Sequence, residues 1–220
     1  MKLFAGRWLR WIALGAAIAA YAALAHLLSA RGTDAGAFGV AVALAPYLGV
    51  ALLLAWRSTR RLPLLALWLA SVALLWSLAG DLAQHIGALY FIQHVATNLV
   101  LAAVFGVTLG AGRQPLCARF AAAVHGTLDA RLSRYTRQVT QAWTIYFLAT
   151  AALSVLLFVA APVWIWSIFA NVLTLPLVGL MFAAEYAVRR WHLRDIDHIG
   201  LIDSMRLYWD SSRPQLPPAP

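Results

Sequence analysis

"RLSRYTRQVTQAWTIYFLATAALSVLLFVAAPV", residues 131–163, carries three arginines in its first seven positions and no charged residue after Arg137. The 22 residues from Ala142 to Val163 would rise about 33 Å as an α-helix, enough to cross a hydrocarbon layer of about 30 Å. Arg131, Arg134 and Arg137 recur at every third position, which on a helix places them within an arc of about 120°. A charged cluster therefore stands where the chain enters lipid.

The rest of the chain repeats that alternation. Hydrophobic residues make up 63% and charged ones 11%, against about 25% charged in soluble domains. Six apolar stretches are long enough, or nearly so, to span a bilayer: Trp11–Leu28, Ala37–Trp56, Leu62–Leu82, Ala88–Ala111, Ala142–Val163 and Trp164–Val188. The predicted fold is all-α, a polytopic membrane helical bundle of about six transmembrane helices with an amphipathic arm on the cytoplasmic side. Residues 1–111 hold the first four spans, 112–138 the arm, 139–190 a C-terminal hairpin turning at Pro162, and 191–220 a tail with a Pro-rich end.

Charge placement gives the orientation. Lys2, Arg7 and Arg10 precede the first span, and Arg57, Arg60 and Arg61 lie between the second and third. Arg113, Arg119, Arg131, Arg134 and Arg137 lie between the fourth and fifth, and Arg189, Arg190, Arg194, Arg206 and Arg213 follow the sixth. Only Arg31 falls on the opposite side. The positive-inside rule then predicts a multi-pass protein of the bacterial cytoplasmic (inner) membrane with both termini cytoplasmic. The alternative for the first segment is a cleaved signal peptide ending near "ALA" at 23–25. A formal charge of +9 distributed this way points to membrane lipids as partners and away from nucleic acid.

Within the arm, Leu116, Phe120, Val124, Leu128 and Leu132 recur every four residues. Pro115 marks one helix start, and Gly126 followed by Thr127 or Asp129 as N-cap marks another. This pattern predicts a bent amphipathic hairpin on the headgroups. In the tail, Leu201, Ile202, Met205, Tyr208 and Trp209 share a helical face. Trp8, Trp11, Trp56, Trp143, Trp164 and Trp191 lie near span ends, as an interfacial belt requires. Gly15, Ala19 and Ala23 form a small-residue stripe expected to pack against another helix.

Polar residues inside spans mark interhelical contacts or a site. Tyr90, His94, Thr97 and Asn98 share one face of the fourth span, and Asn171 lies at a depth similar to His94 in the sixth. A hydrogen-bonded seam between those two spans is expected. Apart from Asp81 at the outer end of the third span, Glu185 is the one carboxylate within a span, with Arg189 at i+4 and Arg137 as a second candidate ion-pair partner. Asp81 and His85 are too few to hold a metal. His192 and Asp197 have the H-x4-D spacing of glycerolipid acyltransferases without the surrounding domain, and Cys117 lacks an evident base. No catalytic residue, metal or cofactor is assigned.

"RQPLCARF", "RYTRQVTQAW" and "WSIFANVLTLPLVGLMFAAEYAVRR", between residues 113 and 190, resemble a family of small polytopic bacterial inner-membrane proteins of unassigned activity. Its members are encoded in aryl-polyene and xanthomonadin-type pigment clusters, beside ketosynthases, acyl carrier proteins, acyltransferases and a lipid exporter. The residues that carry over are Arg134, Tyr135, Thr136, Arg137, Trp143, Trp166, Asn171, Glu185 and Tyr186. The tail from His192 departs from the pattern. The resemblance implies an accessory protein for a polyketide-derived lipid. Arg131, Arg134, Tyr135 and Arg137 would then dock an acyl carrier protein or an anionic lipid. Competing classes are a membrane-embedded enzyme acting on an acyl substrate and a small lipid transporter.

Reporter fusions test the orientation. Fusions at Ser58, Gln114 and Ser211 should report cytoplasm, and fusions at Gly36 and Gln84 the opposite side; a periplasmic signal at Gln114 would invert the C-terminal half.

Overall fold

The computed structural model describes residues 2–125 and 129–192, with side chains for 12–123 and 129–191. The tail face from Leu201, the His192–Asp197 pair, the Trp8 and Trp11 side chains and the Gly126–Thr127 candidates lie outside the described residues. All regular structure within them is helical: α1 (Lys2–Arg31), α2 (Gly36–Arg57), α3 (Arg61–Ser77), α4 (Ala79–Gln84), α5 (Ile86–Gly106), α6 (Leu116–His125), α7 (Ala130–Ala160), α8 (Val163–Ser167) and α9 (Thr174–His192). A π-helical turn, Ile168–Leu173, makes α8 and α9 one continuous segment.

Among the described residues, four stretches are long and apolar enough to cross a membrane: Ile12–Arg57, Ile86–Leu109, Ala130–Ala160 and Val163–Trp191. Large apolar side chains such as Leu54, Trp76, Ile145 and Val159 stand exposed along the helices, a surface that water does not tolerate at this extent. The chain is a membrane protein. The first stretch doubles back at Gly32–Ala35, and the Tyr21 hydroxyl of α1 reaches the carbonyl of Val42 in α2 at 3.3 Å. Gly32 (φ 61°) and Gly36 (φ 53°) frame that turn in the left-handed region, where a Cβ would be strained. The expected Leu62–Leu82 span is divided. Its long part, α3, has 17 residues, about 25 Å of helix and shorter than the hydrocarbon layer.

The described residues form two compact units. One takes in the chain up to Val95 with Leu153–Val178, the other Ala96–Ala152 with the residues from Gly179 on. In the first, Ala25, Leu28, Val40, Ala43, Ile86, Tyr90, Trp166 and Ala170 make the core. A Cβ on Gly39 would lie 2.5 Å from Ile86 Cδ1, so this close approach of α2 to α5 requires glycine. Phe91 of α5 stacks on Phe158 of α7 at 4.1 Å. The small-residue stripe departs from expectation, since Gly15, Ala19 and Ala23 are all exposed.

In the second unit the arm is not a hairpin lying apart from the bundle. Its second limb is the first turns of α7, a helix of 31 residues running unbroken from arginine-rich to apolar sequence. Asp129 is the N-cap, its Oδ1 accepting the Leu132 amide at 2.6 Å. The first limb, α6, follows Pro115 as expected and docks its amino end on two threonines. Thr108 Oγ1 accepts the Leu116 amide at 3.0 Å, and Thr140 Oγ1 accepts the Cys117 amide at 3.2 Å. Those amides are among the four at a helix start that have no partner within the helix. Trp143, expected in the interfacial belt, is buried instead, its ring 4.7 Å from Phe182. Trp56, Trp164 and Trp191 remain exposed.

Thr140 is fully buried and also donates to the Thr136 carbonyl at 2.8 Å. Thr140→Val should orphan the Cys117 amide and lower stability by about 1–3 kcal/mol. Thr140→Ser should cost less. Thermal unfolding in detergent reads the difference.

Candidate functional site

Two polar clusters flank the π-helical turn, both within the first unit. Pro176 has no N–H for the Val172 carbonyl four residues back, and the widened turn lies just N-terminal of it. The turn fans Trp166, Ser167, Asn171 and Thr174 toward different neighbours. Such wide turns recur at functional positions in helices.

The first cluster is centred on His94 of α5. Its Nδ1 lies 3.0 Å from Ser154 Oγ of α7, and its Nε2 lies 3.1 Å from Thr174 Oγ1. Trp166 Nε1 donates to Ser154 Oγ at 2.9 Å, and Thr174 Oγ1 donates to the Ala170 carbonyl at 2.8 Å. One tautomer satisfies every member. The indole N–H donates to Ser154, Ser154 donates to Nδ1, the Nε2 proton goes to Thr174, and Thr174 donates to the backbone. Both ring nitrogens are thus committed to protein hydroxyls. A histidine so engaged ties three helical segments together and has no ring nitrogen left for a substrate proton.

The second cluster joins α1 to the same turn. His26 Nδ1 lies 2.6 Å from Ser167 Oγ, and Asn171 Nδ2 donates to Ser29 Oγ at 3.2 Å. Ser29 Oγ donates in turn to the His26 carbonyl at 3.1 Å. The Ser167 hydroxyl donates to the Trp164 carbonyl at 2.9 Å, so His26 Nδ1 carries the proton that Ser167 accepts. That direction is opposite to the one a general base needs.

Asn171 therefore meets α1, and the expected link between the fourth and sixth spans is made by His94 with Thr174. Tyr90 leaves the predicted seam and approaches the Gly39 carbonyl of α2 at 3.5 Å. Asn98 is buried, in the second unit. The clustering of His26, Ser29, Ser154, Ser167 and Thr174 went unpredicted. Its signal was present in part: Ser29 and Thr174 stand three residues after His26 and Asn171, and Ser167 four before Asn171, the pattern of buried interhelical contacts, whereas Ser154 has no histidine or asparagine at such a spacing.

The arginine strip lies in the second unit. Arg131, Arg134 and Arg137 are exposed, and Arg137 Nη2 donates to the Leu109 carbonyl at 2.7 Å. Arg113 Nη1 reaches the Val107 carbonyl at 3.2 Å. Both cations thus sit on the last carbonyls of the α5 segment, where the helix dipole favours them. Tyr135, predicted beside the arginines as part of a binding surface, turns inward and is 7% exposed. Its hydroxyl lies 3.2 Å from both the carbonyl and Oε1 of Glu185. Glu185 pairs with Arg189 at 3.9 Å, which decides between the two expected partners. Burial pushes the Cys117 thiol above its ordinary range; the Glu185 carboxylate adds to this and a hydrogen bond with Thr140 opposes it. Such a thiol is a poor nucleophile. His85 Nδ1 lies 3.3 Å from the backbone carbonyl of Asp81, and no metal-ligating cluster occurs among the described residues.

No family model, curated protein or solved structure matches the chain.

Ser154→Ala should leave the Trp166 indole without an acceptor and His94 Nδ1 without a donor. A loss of about 1–2 kcal/mol is expected, read as a lower unfolding temperature in detergent. Ser154→Thr, which keeps the hydroxyl, should fall between the two.

Proposed function

We propose that the chain is a six-span protein of the bacterial inner membrane, both termini cytoplasmic, that supports assembly or handling of a polyketide-derived, aryl-polyene-type lipid. Its arginine face receives an anionic partner there, an acyl carrier protein or an anionic lipid. Six spans follow when α1 and α2, of 30 and 22 residues, count separately and α3 with α4 completes the third crossing. The observation that carries the reading is α7 itself. Exposed Arg131 and Arg134 and the apolar stretch after Ala142 belong to one unbroken helix. A group held by those arginines is held at a fixed height above the lipid surface. Exposed Arg113, Arg119 and Arg190 add to the positive field of the same unit. Guanidinium forks suit carboxylate and phosphate groups, which is the chemistry that acidic carrier proteins and lipid headgroups present.

Substitution at Arg131 and Arg134, both exposed on α7, tests it; Arg137 is left in place so that its bond to the Leu109 carbonyl is kept. Loss of the two positive charges alone, at about 1 kcal/mol each, should weaken partner binding roughly thirtyfold; reversal of both to Glu adds two negative charges and should weaken it further, with insertion preserved by the other arginines. Lys at both positions keeps the charge and removes the fork, so it should lower lipid-pigment output in a producing strain by a smaller factor. Full output from the double Lys variant would reduce the strip to an orientation signal.

A further inference from the structure

Where α7 meets α9, an ion pair is only half made. Glu185 Oε1 and Arg189 Nε are 3.9 Å apart, beyond hydrogen-bond reach. The Tyr135 hydroxyl is 3.2 Å from both Oε1 and the Glu185 carbonyl, and its single proton serves one at a time. Oε2 is buried without a hydrogen-bond partner, on a side chain 6% exposed. Arg189, its side chain 20% exposed, lies over the Tyr186 ring at 5.6 Å. Its planar fork of donors can still take an oxyanion from the open side.

Two incompletely satisfied groups of opposite sign thus stand one helical turn apart, one buried and the other reachable. A buried acceptor needs a donor, and an open guanidinium favours phosphate. A ligand that completes both carries a phosphate and, a short arm away, an N–H donor with positive charge. We propose that Glu185 and Arg189 form a site for the phosphoethanolamine headgroup of a membrane lipid. The phosphate lies on the Arg189 guanidinium and the ammonium donates to Glu185 Oε2. Oε2 is closed to solvent in the free chain, so the ammonium reaches it only as the Glu185 carboxylate turns toward the more exposed Arg189 side. A primary ammonium asks little room for this, whereas the trimethylated ammonium of choline is bulkier and has no N–H to give. Tyr135 then shares the carboxylate through Oε1, and the exposed Tyr186 ring flanks the phosphate side. The site rests on the membrane reading above and is separate from the Arg131–Arg134 strip.

The full chain, purified in mild detergent and delipidated, is titrated with phosphatidylethanolamine and phosphatidylcholine of matched acyl chains. Binding is followed by native mass spectrometry. Phosphatidylethanolamine should bind about tenfold or more tightly than phosphatidylcholine, the worth of one hydrogen bond to a charged group. Glu185→Gln, nearly isosteric but uncharged, should erase that preference. Equal binding of the two lipids by the unsubstituted chain overturns the proposal whether or not the variant folds. A preference that survives in Glu185→Gln also overturns it, because the ammonium is then held elsewhere. Micelle binding does not depend on orientation, so reporter fusions and this titration fail independently.

Discussion

Hydrocarbon offers no hydrogen-bond partner, so each polar group that the helices carry into it must be answered from within the protein. In the first unit that demand is met by a relay from the Trp166 indole through Ser154, His94 and Thr174 to the Ala170 carbonyl. Every donor finds one acceptor, which fixes the tautomer of the histidine and the side chain that each helix turns inward. The π-helical turn at Ile168–Leu173 makes the relay possible by widening the helix before Pro176. Trp166 and Thr174 reach toward α7 and α5, while Ser167 and Asn171 reach α1.

The same constraint organises the second unit with different chemistry. Thr108 and Thr140 supply acceptors for the first amides of α6. Arg137 and Arg113 supply donors for the carbonyls that end the α5 segment. The arginines therefore do two kinds of work. Some finish a helix end, as Arg113 and Arg137 do; Arg134 and Arg131 present charge outward from a helix that continues as a membrane-grade rod. A count of positive charges treats these alike, although substitution should affect them differently.

Many of the residues on which the proposed resemblance would rest are inward contacts. Tyr135 meets Glu185, Trp143 meets Phe182, Trp166 meets Ser154 and Asn171 meets Ser29. Thr136 is buried and donates to the Ser133 carbonyl. Arg134 and Tyr186 stay exposed. These residues thus largely record how the helices pack, and the part that faces outward is small: Arg134, Arg137 and Tyr186. That division is why the proposed docking rests on arginines and not on Tyr135.

By itself the sequence determined the solvent and the class of element, because uncharged runs of about 20 residues are stable only as helices in lipid. It also determined the helix start at Pro115, a second start at Thr127 or Asp129, of which the structure takes Asp129, and the Glu185–Arg189 spacing, which are local features set by neighbours along the chain. Tertiary structure decided everything that depends on which face meets which helix. Asn171 bonds Ser29, 142 positions away, in place of a partner on the fourth span. Trp143 turns inward to an aromatic contact, and the Gly15–Ala19–Ala23 stripe stays open. A helix uniformly apolar around its circumference gives no periodic signal for its buried side. The choice passes to single polar side chains, and their partners become visible only when the helices are side by side.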